Sequence, residues 1–370
     1  MKVVLLSDYY PGELLGGGIE LVTEFALELS QDQGDSYIVI SGNKSDKKSF
    51  WLSSKMLNFL REILDLRGAY RIIKQIKSHS PDVIWVHQIG HRIPWITLVW
   101  IKLIDLPIII TLHDLNILSP KKTGTEVIQF PIKEEIKCIK LSTNFFKNLL
   151  LNFRFFLLRL IVNSSASSII SIGPIQCKIL SALQVRVTRQ IPNGVIPCHH
   201  LDQPERDPRK ILFAGRLNRK GLNFVIESML KSDLKLHLLL AGDYDLYDYT
   251  KARLNENDFT YLGRLSRPEV ALILHQVKYV ACISQYYDNY PTIALEAIAH
   301  GALPITTELT GVASLVSTIS LNLIIKEGQT IDFSSLDSLN LEVSSVPLEK
   351  FDLKYTIARY REEIVAINLK

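Results

Sequence analysis

Long uninterrupted apolar runs are missing from this sequence, and so are cysteine pairs. No window of the 370 residues reaches the roughly 18 consecutive apolar residues of a transmembrane helix, so the expectation is a soluble or peripheral chain. The apolar run near the start, residues 3–6, is too short for a signal peptide and fits a first strand. Cys138, Cys177, Cys198 and Cys282 stand far apart with no C-x-x-C pair. That spacing excludes a disulfide frame and a zinc site, and the four read as reduced thiols of a cytosolic protein. Neither the G-x-G-x-x-G dinucleotide fingerprint nor the Walker spacing G-x-x-x-x-G-K-[ST] occurs, which excludes a P-loop and disfavours an oxidoreductase. The net charge is only +4. A balance that mild suits an anionic ligand or a membrane surface, and no nucleic-acid-binding signature accompanies it.

What is present is an ordinary globular composition, 47% hydrophobic and 22% charged, in a chain long enough for two domains. Short β-rich apolar runs alternate with helical patterns, the sign of a parallel α/β sheet. The predicted strands of the first half cover residues 3–6, 37–41, 83–86, 107–112, 168–172 and 187–191. Those of the second half cover residues 210–214, 236–241, 259–262, 279–283 and 304–307. The expected division is a first domain over 1–197, a linker over 198–208 with Pro204 and Pro208, a second domain over 209–350, and a last helix in 351–370. His199 and His200 read as solvated linker, because adjacent residues point apart on any regular backbone.

Open parallel sheets bind ligands beyond their strand C-termini, so the polar residues placed there matter most. Gly16, Gly17 and Gly18 lie between the first strand and the first helix. They permit close backbone approach to a ligand, and a plain turn explains them as well. His87 ends one strand and His113, followed by Asp114, ends the next. His87 reads as structural, while Asp114 is placed to hold the His113 imidazole in one tautomer. The string Gly215-Arg216-Leu217-Asn218-Arg219-Lys220-Gly221 has a glycine at each end and cations within. It suits a diphosphate, and it also suits an exposed basic turn. Residues 119–141 read as a long lysine-bearing loop. Residues 145–162 are apolar and aromatic-rich, broken by Lys147, Arg154 and Arg159. They fit a buried helix with snorkelling cations or a helix lying in a membrane interface.

The richest stretch is 283–304. A polar loop holds Asp288 and Asn289; Pro291 then opens a helix that Gly301 closes. That helix is apolar except for Thr292, Glu296 and His300, which are spaced by four and form one polar stripe. A carboxylate in such a setting is costly unless hydrogen-bonded. The first amides, those of Thr292 and Ile293, favour an anion. Amide donors for a phosphate beside two carboxylate acceptors for hydroxyls suit a nucleotide sugar. A buried helix whose Glu296 meets a structural partner fits the same residues.

Asp288 and Glu296, with seven residues between them and followed by Ala-Ile-Ala-His-Gly-Ala-Leu-Pro, resemble the E-x7-E motif of the family 4 retaining glycosyltransferases (glycosyltransferase group 1), with Asp in place of the first Glu. The string 215–221 resembles the family's G-R-x-x-x-K-G element, Thr-Leu-His113-Asp114 its histidine on the donor-sugar side, and Thr310-Gly311 a following turn. The glutamate often found three residues beyond that turn is absent. The resemblance implies an α/β fold of the GT-B type, two Rossmann-like domains facing a cleft, with a terminal helix crossing back to the first. It implies a UDP-sugar or GDP-sugar donor whose phosphates meet Arg216, Lys220 and the Gly16–Gly18 loop. Glu296 would hold ribose hydroxyls, and Asp288, with Asn289 beside it, the sugar hydroxyls. No metal and no cofactor is expected. The implied activity is transfer of a hexose-type sugar with retention, onto a glycan or lipid-linked acceptor, in the cytoplasm or at the inner face of a membrane. A GT-B epimerase and a non-catalytic scaffold are the alternatives.

Overall fold

The structure is a computed structural model, and it describes residues 1–10, 22–23, 26–27, 34–42, 63–90, 92–115, 145–196, 206–215, 220–284, 287–326, 329–339, 341–343, 346 and 348–369. By its own contacts the chain divides into two units, Met1–Pro192 with Ile357–Lys370, and Asn193–Thr356. Asn193 falls with the second unit because its side-chain amide donates to the Tyr290 carbonyl at 3.2 Å. Val195 likewise bridges to Asp352.

The first unit is built on a parallel six-stranded sheet in the order β2-β1-β3-β4-β5-β6. Its strands are β1 (Lys2–Ser7), β2 (Ser36–Ser41), β3 (Val83–Gln88), β4 (Ile108–Leu112), β5 (Ser168–Ser171) and β6 (Arg189–Gln190). Val3 to Leu6, Val83 to Val86 and Ile108 to Ile110 are almost wholly buried. Continuous apolar runs of this kind are what strands covered on both faces require. The described helices are α1 (Leu66–His79), α2 (Ile96–Leu103), α3 (Phe145–Ser165) and α4 (Pro174–Ala182). Asp65 caps α1 by accepting from the Gly68 amide at 2.9 Å, and residues 51–62 lie outside the described set.

The second unit repeats the plan with the order β12-β11-β10-β7-β8-β9, every described pairing parallel. Its strands are β7 (Asp207–Gly215), β8 (His237–Gly242), β9 (Phe259–Gly263), β10 (Val277–Cys282), β11 (Leu303–Thr307) and β12 (Ile324–Ile325). Between them run α5 (Leu222–Lys231), α6 (Asp245–Lys251), α7 (Arg267–Leu274), α8 (Thr292–Ala299) and α9 (Ala313–Val316). α10 (Phe333–Ser338) follows β12, and the last helix, α11 (Leu353–Asn368), reaches into the first unit. There Tyr360 packs on Trp85 at 4.7 Å between ring centres, and the Arg361 guanidinium pairs with Asp35 at 2.7 Å.

In each sheet the chain builds outward from a central strand and then returns to its other side. The order therefore reverses between β1 and β3 in one unit and between β7 and β10 in the other. The crevice beyond the strand C-termini at such a reversal is where open α/β sheets take ligands.

Candidate active site

In the second unit the reversal point is furnished by residues just past β7 and β10. After β7 the described chain resumes at Lys220 and enters α5 through Gly221, whose φ of +73° is left-handed. A Cβ on Gly221 would overlap the Ile283 carbonyl oxygen, so only glycine lets these two turns touch. This contact brings the β7 turn against the loop that follows β10. There the Lys220 ammonium pairs with the Asp288 carboxylate. The same oxygen, Oδ2, accepts from the Ser284 hydroxyl at 3.0 Å. Ser284 is itself fully buried, and its carbonyl accepts from the Thr307 hydroxyl at 2.7 Å. No described residue donates to Oδ1 of Asp288.

The main chain of Asp288 is fixed as firmly as its side chain. Its amide donates to the Leu309 carbonyl at 3.1 Å, and its carbonyl accepts from the Gly311 amide at 2.8 Å. Gly311 runs so close beneath the loop that a Cβ would overlap the Asn289 carbonyl oxygen. Asn289 is buried, its side-chain oxygen accepting from the Tyr287 hydroxyl at 2.6 Å.

Pro291 occupies the N-cap of α8, with φ −64° and ψ 118°, rather than the first helical turn. The fixed φ of proline satisfies either position, and the extended ψ decides for the cap. The far end closes on Gly301, at φ +79°. Its amide donates to the Ile298 carbonyl at 3.0 Å and that of Ala302 to Ala297 at 2.8 Å, the paired bonds of a Schellman motif. Between the ends, Thr292, Ile293 and Glu296 are half-buried while Ala294, Leu295, Ala297, Ile298 and Ala299 are buried. Burial raises the Glu296 carboxyl above its ordinary range, and the charge of Arg267 at the start of α7 partly offsets this. Lys220, Asp288 and Glu296 all act electrostatically on the buried Cys282 thiol, which burial pushes up to about 12. One cation and two carboxylates thus converge on the end of β10.

Ser284 and Arg267 were not singled out in the sequence. Arg267 carried a faint signal, since it lies inside the string Ser266-Arg267-Pro268-Glu269, which forms a capping box at the start of α7. Ser284 carried none. Arg216 and Arg219 lie outside the described residues, as do Gly16, Gly17, Gly18 and the loop 119–141.

The C-terminal ends of β3 and β4 in the first unit carry two histidines. His87 at the end of β3 and His113 just past β4 meet Nδ1 to Nε2 at 3.0 Å. Burial lowers both, His113 to about 3 and His87 well below the usual imidazole value, the latter also through the charge His113 would carry. They line a small recess with Val86, Gln88, Trp95 and Asp114. The chain on either side of His113 is held by the buried Gln176 of α4, whose amide donates to the carbonyls of Leu112 at 2.8 Å and Asp114 at 3.2 Å. Among the described residues no group of three or more His, Cys, Asp or Glu is arranged to hold a metal ion.

Comparison with known proteins agrees with this layout. Residues 201–335 match the family described as glycosyl transferases group 1. A search of curated protein sequences finds no match. Among solved structures, HepE of Anabaena in complex with UDP and glucose superposes with a TM-score of 0.64 at 15% identity, over 99% of this chain and 100% of that one. A glycosyltransferase of Rickettsia africae gives 0.65 at 16% identity, over 99% and 98%. Sucrose-phosphate synthase of Thermosynechococcus elongatus gives 0.62 at 14%, over 100% and 96%. Both six-stranded units thus have the architecture of GT-B glycosyltransferases, and residues 201–335 match the model of the glycosyl transferases group 1 family.

Proposed function

We propose that this protein is a glycosyltransferase that moves a hexose-type sugar from a nucleoside-diphosphate sugar to a glycan or lipid-linked acceptor. The observation that carries the reading is the convergence of Lys220, Asp288 and Glu296 at the β7/β10 reversal, inside the segment that matches the family. Lys220, with Arg216 of the same loop and the amides of Thr292 and Ile293, takes the charge that develops on the departing diphosphate. Fixed cations and helix-start amides do this without a metal. Glu296 accepts from the ribose hydroxyls. Asp288 accepts from the donor-sugar hydroxyls through Oδ1, with Asn289 and Pro291 shaping the loop beside it. Of the first unit's residues, His113 and Asp114 are assigned to the donor sugar and Gly16, Gly17 and Gly18 to its phosphates. The acceptor attacks from the side of the leaving group, which retains configuration. UDP-sugars are the first donors to test, because HepE was solved with UDP and with UDP-glucose.

Calorimetry with UDP and GDP tests this reading. Micromolar or tighter binding of one of them is expected. Removing a charge-assisted contact costs about 1.5–3 kcal/mol, so Lys220→Ala weakens that binding roughly 10- to 100-fold. No heat with either nucleotide, or an unchanged affinity in the variant, overturns it.

A lipid-linked acceptor would bring the enzyme to a membrane surface, and two features of α3 support such a contact. No described helix is long and apolar enough to cross a membrane. Yet Leu149, Phe153, Phe156 and Leu160 are each more than half exposed, at spacings of four, three and four that put them on one stripe. No Asp or Glu occurs from residue 136 to 201, a stretch that holds Lys137, Lys140, Lys147, Arg154, Arg159, Lys178, Arg186 and Arg189. An apolar stripe in so basic a setting suits an anionic lipid surface. The protein is expected to sediment with vesicles containing phosphatidylglycerol and less with phosphatidylcholine alone. Phe153→Glu with Phe156→Glu should release it. Equal recovery with both vesicle types, or none with either, refutes the contact.

A further inference from the structure

The stripe on α3 is leucine and phenylalanine, and side chains of that kind do not distinguish an anionic bilayer from a neutral one. Its neighbours carry what it lacks. α2 packs against both α1 and α3, so the three helices form one layer over the first sheet. Right-handed crossovers between its parallel strands have the same consequence. The buried side of α1 includes Ala69, Ile72, Ile73 and Ile76. Opposite them, at spacings of four and three, stand the exposed Arg67, Arg71 and Lys74. Lys77, Leu66 and Tyr70 are exposed on the flanks of the same helix, and Lys102 and Leu103 at the end of α2.

The carboxylates that would neutralise this ridge are missing or engaged elsewhere. From residue 66 to residue 104 the sequence holds one Asp and no Glu. That one, Asp82, accepts from the Lys2 amide at 2.6 Å. Asp65, just before α1, accepts from the Gly68 amide, and Asp105 follows in the turn after α2. Arg67, Lys74, Lys77 and Lys102 have no carboxylate partner among the described residues. A helix face that only meets water commonly mixes the two signs of charge. A ridge of one sign, in the same layer as an exposed apolar stripe, complements a surface that is negative outside and apolar within.

We infer that α1 is the headgroup-binding part of the membrane face: Arg67, Lys74 and Lys77 meet the phosphates of anionic lipids while α3 enters the acyl boundary. The preference for an anionic bilayer then lies in α1, and the apolar anchorage in α3. Only the helix layer, about 10–12 Å across, separates the sheet from the headgroups. This inference rests on the α3 contact proposed above, and its test separates the two.

The full chain is sedimented with increasing amounts of phosphatidylglycerol or phosphatidylcholine vesicles, in dilute buffer and in about 0.5 M NaCl. A basic side chain near an anionic surface strengthens binding about fivefold. Combining Arg67→Gln, Lys74→Gln and Lys77→Gln should therefore lower partitioning onto phosphatidylglycerol roughly 100-fold, flatten its salt dependence and leave the weaker binding to phosphatidylcholine unchanged. All three positions are exposed, so the fold is kept. Combining Lys231→Gln, Lys235→Gln and Lys326→Gln removes the same charge from exposed positions of the second unit and should change little. An α1 variant that keeps the preference for phosphatidylglycerol, or loses no more than this control, overturns the inference and leaves the α3 contact standing. Equally tight binding of a short RNA duplex, lost in the α1 variant, overturns it too, because the ridge would then take any polyanion. A wild type that binds neither vesicle ends the α3 contact itself.

Discussion

Among single residues, Glu296 states the conflict between site and stability most plainly. Its carboxyl is raised by burial in α8 and only partly compensated by Arg267. A carboxyl whose folded value lies above its unfolded one contributes stability that is fully present below the unfolded value and is lost as pH rises through the folded one. At neutral pH the ionised group therefore costs stability. Glu296→Gln is expected to raise the unfolding temperature of the free protein at pH 7.5, with the gain vanishing by pH 4. The same change removes a charged acceptor, worth about 1.5–3 kcal/mol if it meets ribose hydroxyls, so nucleotide affinity should drop roughly 10- to 100-fold. Thermal unfolding and calorimetry on the one variant check both halves. A variant that is less stable and binds equally well would make Glu296 an ordinary packing residue.

At the scale of elements, the site depends on two places where backbone meets backbone. Gly221 lets the β7 turn rest on the Ile283 carbonyl, and Gly311 lets the turn after β11 hold Asp288 by its main chain. Gly221→Ala must place a side chain at φ +73°, costing about 1–2 kcal/mol, before any overlap is relieved. It should lower stability by at least that amount and weaken nucleotide binding, since Lys220 moves with the turn. An equivalent change at Gly263, also left-handed but with open space around its missing Cβ, should cost the strain alone and spare binding. Much of this was legible beforehand. Strands buried on both faces announce themselves as unbroken apolar runs, and the α8 stripe of Thr292, Glu296 and His300 follows from spacing alone. The glycines at 221 and 301 flagged turns that the structure places in the left-handed region. Hidden from view were partners on different strands. His87 meets His113, and Lys220 meets Asp288 sixty-eight residues later, only because strand register and loop path bring them there. An apolar run specifies that a strand is buried but not which residue of its neighbour stands opposite.

For the molecule as a whole, acid should weaken the first unit in a way that can be seen separately. All four tryptophans, Trp51, Trp85, Trp95 and Trp100, lie in it, so tryptophan emission reports that unit alone. His87 and His113 are held neutral in the folded state by burial, against an ordinary value of 6.5. As pH falls below 6.5 the unfolded chain gains protons that the folded one refuses, so stability declines with pH. Each site lost to protonation is worth about 1.4 kcal/mol per pH unit, so the pair accounts for about 3 kcal/mol between pH 7.5 and 5.5. Asp35 responds in a different window. Burial raises its carboxyl, but the hydrogen bonds from Arg361 and the N-terminus outweigh this and hold it below the usual range. Its contribution is present above the ordinary carboxylate value and disappears only as pH falls below about 4. Urea midpoints followed by tryptophan emission should thus move down steadily from pH 7 to 4, then fall further. In His87→Phe, where only His113 remains to be charged, the first slope should be about half as steep. A midpoint flat between pH 7 and 5 would mean that the two imidazoles take up protons in the folded protein, and that the enclosed histidine pair is not the resting state of this sheet edge.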